Sequence, residues 1–400
     1  MSRVLAAWEL GGNMGHIDLL LLCARALRTR GHEVHFVLRD LSRAHPRIAA
    51  EGFAMGQAPV WLPTMAHPPR LGNYAAVLAA AGWLDAAGLA GLMSGWNTWY
   101  DVLQPDVVIT NHAPTAVLSA RGRGFPVWTL GTSFEVPPRS ASFPPMAWWD
   151  ATERTRGDSD DMSVLPFVNQ ALALHHQVPL IRLTALFDGT RQALVGLREL
   201  AHYDGYAAET EFCGPAYVGD SGTSPVWPAG PGPRVFAYLS PTHPEFRNLM
   251  SALNGLSLVT LVHAKGLSAD AARRLAGPRL RFEAQPLRMD EAAAQADIIV
   301  SHGGMGTVTA AAMAGKPQLA ITTHMEQCMT GRRIASVGIG LAVNPGSQGT
   351  DWRGLLSRLS GEPGFAQRAQ AMAARHRGRS TQATGQRLAD LVEASLPGGV

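Results

Sequence analysis

Two glycine-rich loops hold most of the residues in this sequence that could do chemistry. The first, Glu9–His16, reads ELGGNMGH and lies between a predicted strand and a predicted helix. Glycines there allow a tight turn and a close approach of the backbone to a ligand, and His16 is held where the helix begins. On its own this loop is equally compatible with a dinucleotide-binding turn, although its glycine spacing does not match G-x-G-x-x-G.

The second loop is more specific, because histidine, glycine and threonine come together where a predicted helix starts. Ser301–Thr307 reads SHGGMGT and follows a predicted buried strand. Free N–H groups and the helix dipole make such a terminus an anion site, to which His302 and Thr307 can add side-chain hydrogen bonds. Glu326 and Gln327 follow the next predicted strand. A carboxylate beside an amide suits several sugar hydroxyls, so we expect a site for phosphate and sugar together.

Both halves of the chain alternate short apolar runs, typical of buried parallel strands, with helical stretches. The predicted strands are Val4–Trp8, Glu33–Leu38, Asp106–Thr110, Pro126–Leu130, Arg234–Leu239, Ser257–Val262, Asp297–Ser301 and Pro317–Thr322. The predicted helices are Ile17–Arg30, Glu245–Leu253, Asp290–Ala296, Val308–Ala314 and Gly385–Leu396. This alternation predicts an α/β fold of doubly wound domains. A length of 400 residues fits two of them, and the Gly- and Pro-rich segment 214–233 predicts the linker between them.

The composition excludes several classes of protein. The net charge is only +3, and Lys265 and Lys316 are the only lysines, so nothing predicts binding to nucleic acid or to an anionic membrane. Three scattered cysteines fit a reducing compartment, and the first residues lack the long apolar core of a secretory signal, so we expect a cytoplasmic protein. The Ala-rich segment Tyr74–Met93 contains Asp85, which favours a buried or pocket-lining helical region over a membrane insertion.

Three stretches of sequence carry a resemblance to a known family. Residues 296–340, ADIIVSHGGMGTVTAAAMAGKPQLAITTHMEQCMTGRRIASVGIG, resemble the donor-site signature of nucleotide-sugar-dependent glycosyltransferases of the GT-B fold. The resemblance is to the UDP-glucosyl/glucuronosyl-transferase-like family, including its bacterial macrolide and antibiotic members. GGNMGHIDLLLLCARALRTRGHEVHFV and QPDVVITNHAPTAVLSARGRGFPVWTLGTS are similar to that family's N-terminal motifs. The resemblance implies two Rossmann-like domains that face a central cleft.

The resemblance also implies roles for individual residues. His16 falls where the family keeps the general base that deprotonates the acceptor. The diphosphate-binding positions are occupied by Ser240, His302, Gly303, Gly304, Gly306 and Thr307. The positions for the transferred sugar and for the nucleobase are occupied by Glu326 and Gln327, and by Gln285, Pro286 and Leu287. The implied donor is a nucleotide diphosphate sugar, a UDP-sugar rather than a TDP-sugar. Neither a metal nor a resident cofactor is expected, because helix N-termini and His302 can stabilise the leaving diphosphate.

The same resemblance gives each part of the chain a task. Residues 1–213 would form the acceptor-binding domain, 214–233 the linker, and 234–380 the nucleotide-sugar-binding domain. Residues 381–400 would form a C-terminal helix that packs back on the N-terminal domain.

One departure from the family concerns the partner of His16. The family places an aspartate there, which fixes the histidine tautomer and stabilises the imidazolium as it forms. Here the matching position is Asn111, whose neutral amide supplies no counter-charge. Either another carboxylate such as Glu135 or Asp150 assists, or the acceptor is acidic enough, as a phenol or enol is, to need only a weak base.

The acceptor is inferred from the aromatic residues of the N-terminal half. Eight of the ten tryptophans precede residue 150, in regions of low charge and poor periodicity. Such residues either pack in the core or line an apolar pocket. The candidates for lining are Trp61, Trp83, Phe134 and Trp148. As a group they favour an apolar or aromatic small molecule.

These observations predict an inverting, metal-independent glycosyltransferase with His16 as general base, acting as a monomer or homodimer on small molecules. Two alternatives stay open. A lipid-linked sugar transferase similar to the peptidoglycan GlcNAc-transferase family would share the fold and the GG-x-G-H loop. A catalytically inactive accessory protein that binds a sugar nucleotide is compatible with Asn111. An NAD-dependent dehydrogenase is disfavoured, because no ribose-binding acid follows the second predicted strand.

Overall fold

A computed structural model describes residues 1–12, 14–65, 67, 69–154, 157–217, 222–347 and 349–396. Asn13 of the first glycine loop, residues 218–221 of the predicted linker and residues 397–400 lie outside the described residues. The chain divides into two compact units. The first unit comprises Met1–Val195, Tyr203–Gly214 and Ser380–Val400, and the second comprises Gly196–His202 and Pro215–Arg379.

The first unit is built on a seven-stranded parallel sheet of order β3-β2-β1-β4-β5-β6-β7. Its strands are β1 (Arg3–Trp8), β2 (Glu33–Leu38), β3 (Ala54–Gln57), β4 (Val107–Asn111), β5 (Val127–Gly131), β6 (Arg191–Leu194) and β7 (Glu211–Phe212). Its helices are α1 (Gly15–Thr29), α2 (Leu41–Ile48), α3 (Tyr74–Leu78), α4 (Ala86–Leu103), α5 (Pro114–Ser119), α6 (Ala151–Arg154) and α7 (Gly157–Leu174). The final helix Thr381–Glu393 packs on α1 in the same unit, where Arg30 pairs with Glu393 at 2.5 Å.

The second unit repeats this plan with a six-stranded parallel sheet of order β10-β9-β8-β11-β12-β13. Its strands are β8 (Arg234–Leu239), β9 (Val259–Ala264), β10 (Leu280–Glu283), β11 (Ile298–Ser301), β12 (Gln318–Ile321) and β13 (Gly340–Val343). Its helices are α8 (Phe246–Asn254), α9 (Ala269–Leu275), α10 (Met289–Gln295), α11 (Met305–Met313), α12 (Met325–Ser336), α13 (Trp352–Gly361) and α14 (Pro363–Arg375), and the final helix of the first unit is α15.

The predicted α/β architecture is confirmed, and every predicted strand is present with ends shifted by at most two residues. The strands are recognisable because they are buried on both faces, as in β4 and β5, where every residue is buried. The predicted helix Val308–Ala314 instead begins at Met305, because Gly304 is its N-cap and the glycine loop therefore leads directly into the first turn. The predicted helix Gly385–Leu396 begins earlier, at Thr381, where the Ser380 side chain accepts from the N–H of Ala383.

The predicted domain boundaries differ from the observed units at residues 196–202, in the linker and at Ser380, which belongs to the first unit. Residues 196–202, expected in the N-terminal domain, belong to the second unit, where Leu197 and Leu200 are buried against α11 and α12. From Pro215 onward, the described part of the predicted linker belongs to the second unit. Thr223 donates its N–H to the carbonyl of Pro286 at 2.9 Å, and Trp227 donates to the Gln295 side chain at 2.9 Å.

The apolar segment Tyr74–Met93 forms a buried helical region, as expected. A π-helical turn at Ala79–Trp83 follows α3, and the chain then bends by 85° into α4. Tyr74, Trp83 and Met93 are fully buried in the core of the first unit. Among the described residues no one helix has both the length and the apolar composition to cross a membrane, and only this bent pair reaches those values when its two parts are joined.

Candidate active site

The first unit brings His16 and Asn111 together at the point where its strand order reverses. β1 and β4 are neighbours in the sheet, and their register sets Trp8 beside Asn111. The chain leaves β1 through the glycine loop and enters α1, which carries His16 in its first turn. Ligands of open α/β sheets bind at the carboxyl ends of the strands at such a reversal.

The Asn111 side chain fixes the tautomer of His16. Asn111 Nδ2 donates to the carbonyl of Leu130 at 2.7 Å, so its Oδ1 is the atom that lies 2.6 Å from His16 Nδ1. An amide oxygen only accepts, and therefore Nδ1 carries the proton and the lone pair of the neutral ring lies on Nε2. Trp8 stacks on the imidazole with a centroid separation of 5.5 Å. The ring is thus oriented as a proton acceptor through Nε2.

Gly11 gives His16 Nε2 the room that it occupies. Its φ is +82°, in the left-handed region that favours glycine, and a Cβ at this position would collide with Nε2. Arg39 donates to the carbonyl of Gly11 at 3.0 Å and so holds the loop from the side of β2. The glycine of the first loop is therefore required both by its backbone conformation and by the histidine beside it.

Glu135 lies on the protonated side of the His16 ring. Its Oε1 is 3.9 Å from His16 Nδ1, and its side chain is only 8% exposed. Thr132 donates its hydroxyl to Oε2 of the same carboxylate. Asp150, the other carboxylate considered from the sequence, is exposed and accepts from the N–H of Thr152 at 2.9 Å. Of the two candidates, Glu135 is the one in contact with His16.

Two further titratable residues surround this site and were missed by sequence reasoning. His112 lies 5.8 Å from the His16 ring, and burial, with smaller effects of His16 and Arg39, lowers its pKa well below the usual value. Glu9 is buried and accepts from the N–H of Thr115 at 2.9 Å, at the start of α5. Burial raises the pKa of Glu9 from 4.5 to about 7. Glu9 directly follows the last residue of β1, and His112 directly follows Asn111 at the end of β4. Their positions in the sequence could therefore have identified them as residues of this site.

The four predicted acceptor-lining aromatic residues have different surroundings. Phe134 lies edge-on to His112 at 6.3 Å, within the ring cluster around His16. Trp61 is half-buried against Gly82 and Gly88, and Trp148 packs edge-to-face on Trp149 at 5.4 Å.

The lining role predicted for Trp83 is wrong, because its side chain is fully buried in the core of the first unit. Beside His112 there is also a small cavity, lined in part by Tyr74, Thr129 and Glu135.

The second unit places its glycine loop at the equivalent reversal, between β8 and β11. The register pairs Tyr238 with Ser301, so that Ser240 and His302 follow neighbouring strand ends. Gly303 has a φ of +80°, and its N–H donates to the Ser301 hydroxyl at 3.1 Å. In the described residues no side chain caps the N–H groups at the start of α11. This end of the helix can therefore receive an anion.

The surroundings of His302 favour its neutral form. Its ring lies 5.4 Å from that of Tyr238, which in turn stacks on His263 at 5.5 Å. Burial lowers the pKa of His302, against an opposing hydrogen bond with the Tyr238 backbone. Burial also lowers the pKa of His324, with a smaller effect of His302. Two neutral imidazoles near this loop can donate hydrogen bonds to a phosphate. A bound phosphate raises the pKa of each imidazole, and an imidazole that takes up a proton then attracts the phosphate by its charge.

The predicted sugar-binding pair begins α12, with part of its hydrogen-bonding capacity already used. Gln327 is buried, and its Oε1 accepts from the N–H and the hydroxyl of Thr323 at 2.9 and 2.7 Å. Glu326 is half-buried in the first turn of the helix. A small pocket near them is lined by Ser240, His302, Thr323, Leu239, Phe246 and Trp352.

The predicted nucleobase segment is only partly exposed. Gln285 and Pro286 are exposed, but the side chain of Leu287 is buried in the core with Phe236 and Ile299. A side-chain contact of Leu287 with a base is therefore wrong. Within the described part of the chain, no group of three or more His, Cys, Asp or Glu side chains is arranged to hold a metal ion.

One family model matches a part of the chain that lies mainly in the second unit. Residues 278–389 match the model of a family described as erythromycin biosynthesis protein CIII-like, C-terminal domain. This range contains the glycine loop, the pair Glu326–Gln327 and the segment Gln285–Leu287. No curated protein matches the chain.

Solved structures match the chain along almost its whole length. The glycotransferase of kitacinnamycin has a TM-score of 0.72 and 18% identity, covering 99% of both chains. CalG4, the calicheamicin glycosyltransferase, has a TM-score of 0.72 and 17% identity, covering 98% of both. The Streptomyces sp. SF2575 glycosyltransferase SsfS6, complexed with thymidine diphosphate, has a TM-score of 0.64 and 17% identity, covering 98% of this chain and 100% of that one. These likenesses establish the GT-B fold. The family match over residues 278–389 agrees with the resemblance found in the sequence of that part of the chain.

Proposed function

We propose that this protein is an inverting glycosyltransferase that moves a sugar from a nucleoside diphosphate to an apolar small-molecule acceptor. The observation that carries this proposal is the glycine loop at the sheet reversal of the second unit. It combines uncapped helix N–H groups with His302 and lies inside the segment that matches the family model. GT-B folds of antibiotic glycosyltransferases, matched along the whole chain, support it.

The donor would be bound by the second unit. Backbone N–H groups of the Gly304–Thr307 turn and the side chains of Ser240 and His302 can donate to the diphosphate. Glu326 lies in the first turn of α12 beside Gln327. The Nε2 of Gln327 can donate to a sugar hydroxyl, whereas its Oε1 already accepts from Thr323. Hydrogen bonds to the diphosphate strengthen as negative charge develops on it, which favours the transition state.

The acceptor would react at the first unit, with His16 as the base. The acceptor hydroxyl gives its proton to His16 Nε2 while its oxygen forms a bond to the anomeric carbon. The bond from that carbon to the diphosphate oxygen breaks, and its electron pair stays with the nucleoside diphosphate. A single displacement of this kind inverts the anomeric configuration. The fixed Nδ1–H tautomer supports this role because it leaves the Nε2 lone pair available.

We propose a pyrimidine nucleotide as the carrier. The sequence favoured UDP, whereas SsfS6 is a relative complexed with thymidine diphosphate. Gln285 and Pro286 are the exposed residues of the segment proposed to meet the base. Both nucleotides therefore belong in the first test.

Fewer aromatic residues support an apolar acceptor than the sequence alone suggested. Phe134 lies edge-on to His112, and Trp61 and Trp148 are half-buried. The apolar segment that had kept a lipid-linked acceptor open is instead packed into the core through Tyr74 and Trp83. A small aglycone is therefore the better candidate.

The test is a panel of UDP- and dTDP-sugars, first by thermal shift and then by product analysis with phenolic and alcoholic acceptors. A donor at a hundredfold excess over its Kd stabilises the protein by about 2.7 kcal/mol, which is readily measured. We expect stabilisation by pyrimidine nucleotide sugars and acceptor-dependent release of the nucleoside diphosphate. Binding without transfer to any acceptor would instead indicate an inactive sugar-nucleotide-binding protein, and transfer only to lipid-linked acceptors in liposomes would indicate the lipid-linked class.

A further inference from the structure

We propose that Glu135 supplies the counter-charge for His16 that Asn111 cannot supply. This inference rests on the proposed role of His16 as the base. Glu135 then acts through His16, as a positioning residue, and does not itself contact the substrate. The two tasks that one aspartate performs in related enzymes would here be divided between two residues, with Asn111 orienting the imidazole and Glu135 stabilising its charge.

The geometry separates these two tasks. Asn111 Oδ1 takes the hydrogen bond of Nδ1 at 2.6 Å, and Glu135 Oε1 lies at 3.9 Å from the same nitrogen, too far for a hydrogen bond but close enough for an electrostatic interaction. The side chains of His16 and Glu135 are 11% and 8% exposed, so the interaction between them is little screened by solvent. The imidazolium that forms during the reaction therefore has a carboxylate beside it.

The neighbours of Asn111 explain why the charge is not at position 111. Asn111 Nδ2 donates to the Leu130 carbonyl at 2.7 Å. A carboxylate oxygen in that place would face the carbonyl oxygen without a proton between them, which is repulsive. Position 131 is glycine, and its absent side chain leaves room for both Glu135 Oε2 and Asn111 Nδ2, at 3.1 and 3.2 Å from where a Cβ would stand. The end of β5 is thus shaped to admit Glu135 next to the asparagine.

The other charged groups around His16 do not provide this charge. His112 is held neutral by the burial that lowers its pKa, and Arg39 is positive and donates to Gly11. The Glu9 carboxylate is turned to the N–H groups of Thr115 and Ala116, at the start of α5. Glu135 is therefore the carboxylate that responds to a proton on His16.

This arrangement changes the expected acceptor. A base with only a neutral partner would require an acidic phenol or enol, whereas a base with a buried carboxylate beside it can also deprotonate an ordinary alcohol more readily. We infer that alkyl alcohols are acceptors of this protein as well as phenols.

The experiment compares Glu135→Gln with the wild-type protein in the full transfer reaction, using one phenol and one alkyl alcohol of similar size. The kcat for the alcohol should fall by about tenfold or more, and that for the phenol by less, because the imidazolium that forms on His16 loses the opposite charge beside it. The acid limb of the kcat/KM profile should move to lower pH, because a carboxylate beside the base favours the protonated base. Titration of Glu9 is common to both proteins and cancels in the comparison.

Asp150→Asn is the matched control, because it removes the other candidate carboxylate, which is exposed and bonded to the N–H of Thr152. It should leave the acid limb in place. Glu135→Asp keeps the charge and should restore part of the loss. Should Glu135→Gln not fold, Glu135→Ala, which also removes the carboxylate and leaves the Thr132 hydroxyl in place, should move the acid limb in the same direction.

An unchanged acid limb in Glu135→Gln, or an equal loss for alcohol and phenol, would overturn the counter-charge while transfer by the wild-type protein would leave the proposed function intact. Absence of transfer by the wild-type protein with every donor would instead contradict the proposed function itself.

Discussion

The two units place a glycine loop and a histidine at the same topological position but surround them differently. His16 lies beside a buried amide, a buried carboxylate and a stacked indole, all side chains. His302 lies beside helix N–H groups that no described side chain caps. Transfer of a proton requires one oriented lone pair, whereas stabilisation of a diphosphate requires several donors spread over many oxygens. The same fold can therefore supply two kinds of chemistry.

The difference also appears in the titratable groups. The site of the first unit contains Glu9 and Glu135, both buried acids, and an uncharged His112. In the second unit the histidines at the loop, His302 and His324, are shifted toward the neutral form by burial. The first site is thus sensitive to the placement of single side chains, and the second should depend mainly on backbone conformation. Three substitutions test this contrast.

The largest effect is expected from Gly11→Ala. The φ of +82° disfavours alanine, and its Cβ would occupy the place of His16 Nε2. Because a positioned general base contributes about 10²–10⁴ in rate, we expect kcat to fall by about 10³-fold while the Kd for the donor is unchanged. Gly12→Ala is the control, since nothing lies within 4 Å of a Cβ at that position. A normal kcat for Gly11→Ala would mean that the observed position of His16 is not the reacting one.

The second effect concerns stability and pH. Glu9 has a pKa of about 7 in the folded protein, above its ordinary value of 4.5, so the folded state binds the proton more tightly than the unfolded state. Its contribution to the free energy of unfolding is fully present below pH 4.5 and is lost as the pH rises to about 7.

The loss amounts to about 3 kcal/mol, which is the free energy that corresponds to the rise in the pKa of Glu9. Glu9→Gln cannot titrate at this position. We therefore expect the free energy of unfolding to fall less in Glu9→Gln than in the wild type as the pH rises. Urea denaturation of both proteins at pH 5, 6, 7 and 8 measures this difference. Parallel curves for the two proteins would show that Glu9 does not titrate in this range.

The smallest effect is expected at the backbone site of the second unit. Gly303→Ala introduces a side chain at a φ of +80°, with its Cβ 3.3 Å from the carbonyl of Gln327. The strain in this conformation is about 1 kcal/mol or slightly more, so we expect the Kd for the nucleoside diphosphate to rise about tenfold, with little change in kcat at saturating donor. Calorimetric titration measures this Kd. A fall in kcat with an unchanged Kd would reverse the division of tasks between the two units.

The sequence predicts the architecture well because parallel strands buried on both faces are continuous apolar runs, as in β4 and β5. The sequence also predicts that His16 and Asn111 belong to one site, and the register of β1 and β4 brings them within hydrogen-bonding distance. It cannot choose between Glu135 and Asp150, because that choice depends on how the loop after β5 folds back. Trp83 and Leu287 were assigned to ligands because an aromatic or apolar residue in an irregular segment gives no sign of the side on which it packs.

The most direct measurement of the central claim is a pair of assays on His16→Ala. Donor binding is measured by calorimetric titration with the nucleoside diphosphate, and transfer is measured by acceptor-dependent release of that nucleoside diphosphate. The account predicts an unchanged Kd together with a rate about 10²–10⁴ below that of the wild type. Transfer at the wild-type rate would contradict His16 as the base, and failure of the wild-type protein itself to bind any nucleoside diphosphate would contradict the assignment of the second unit.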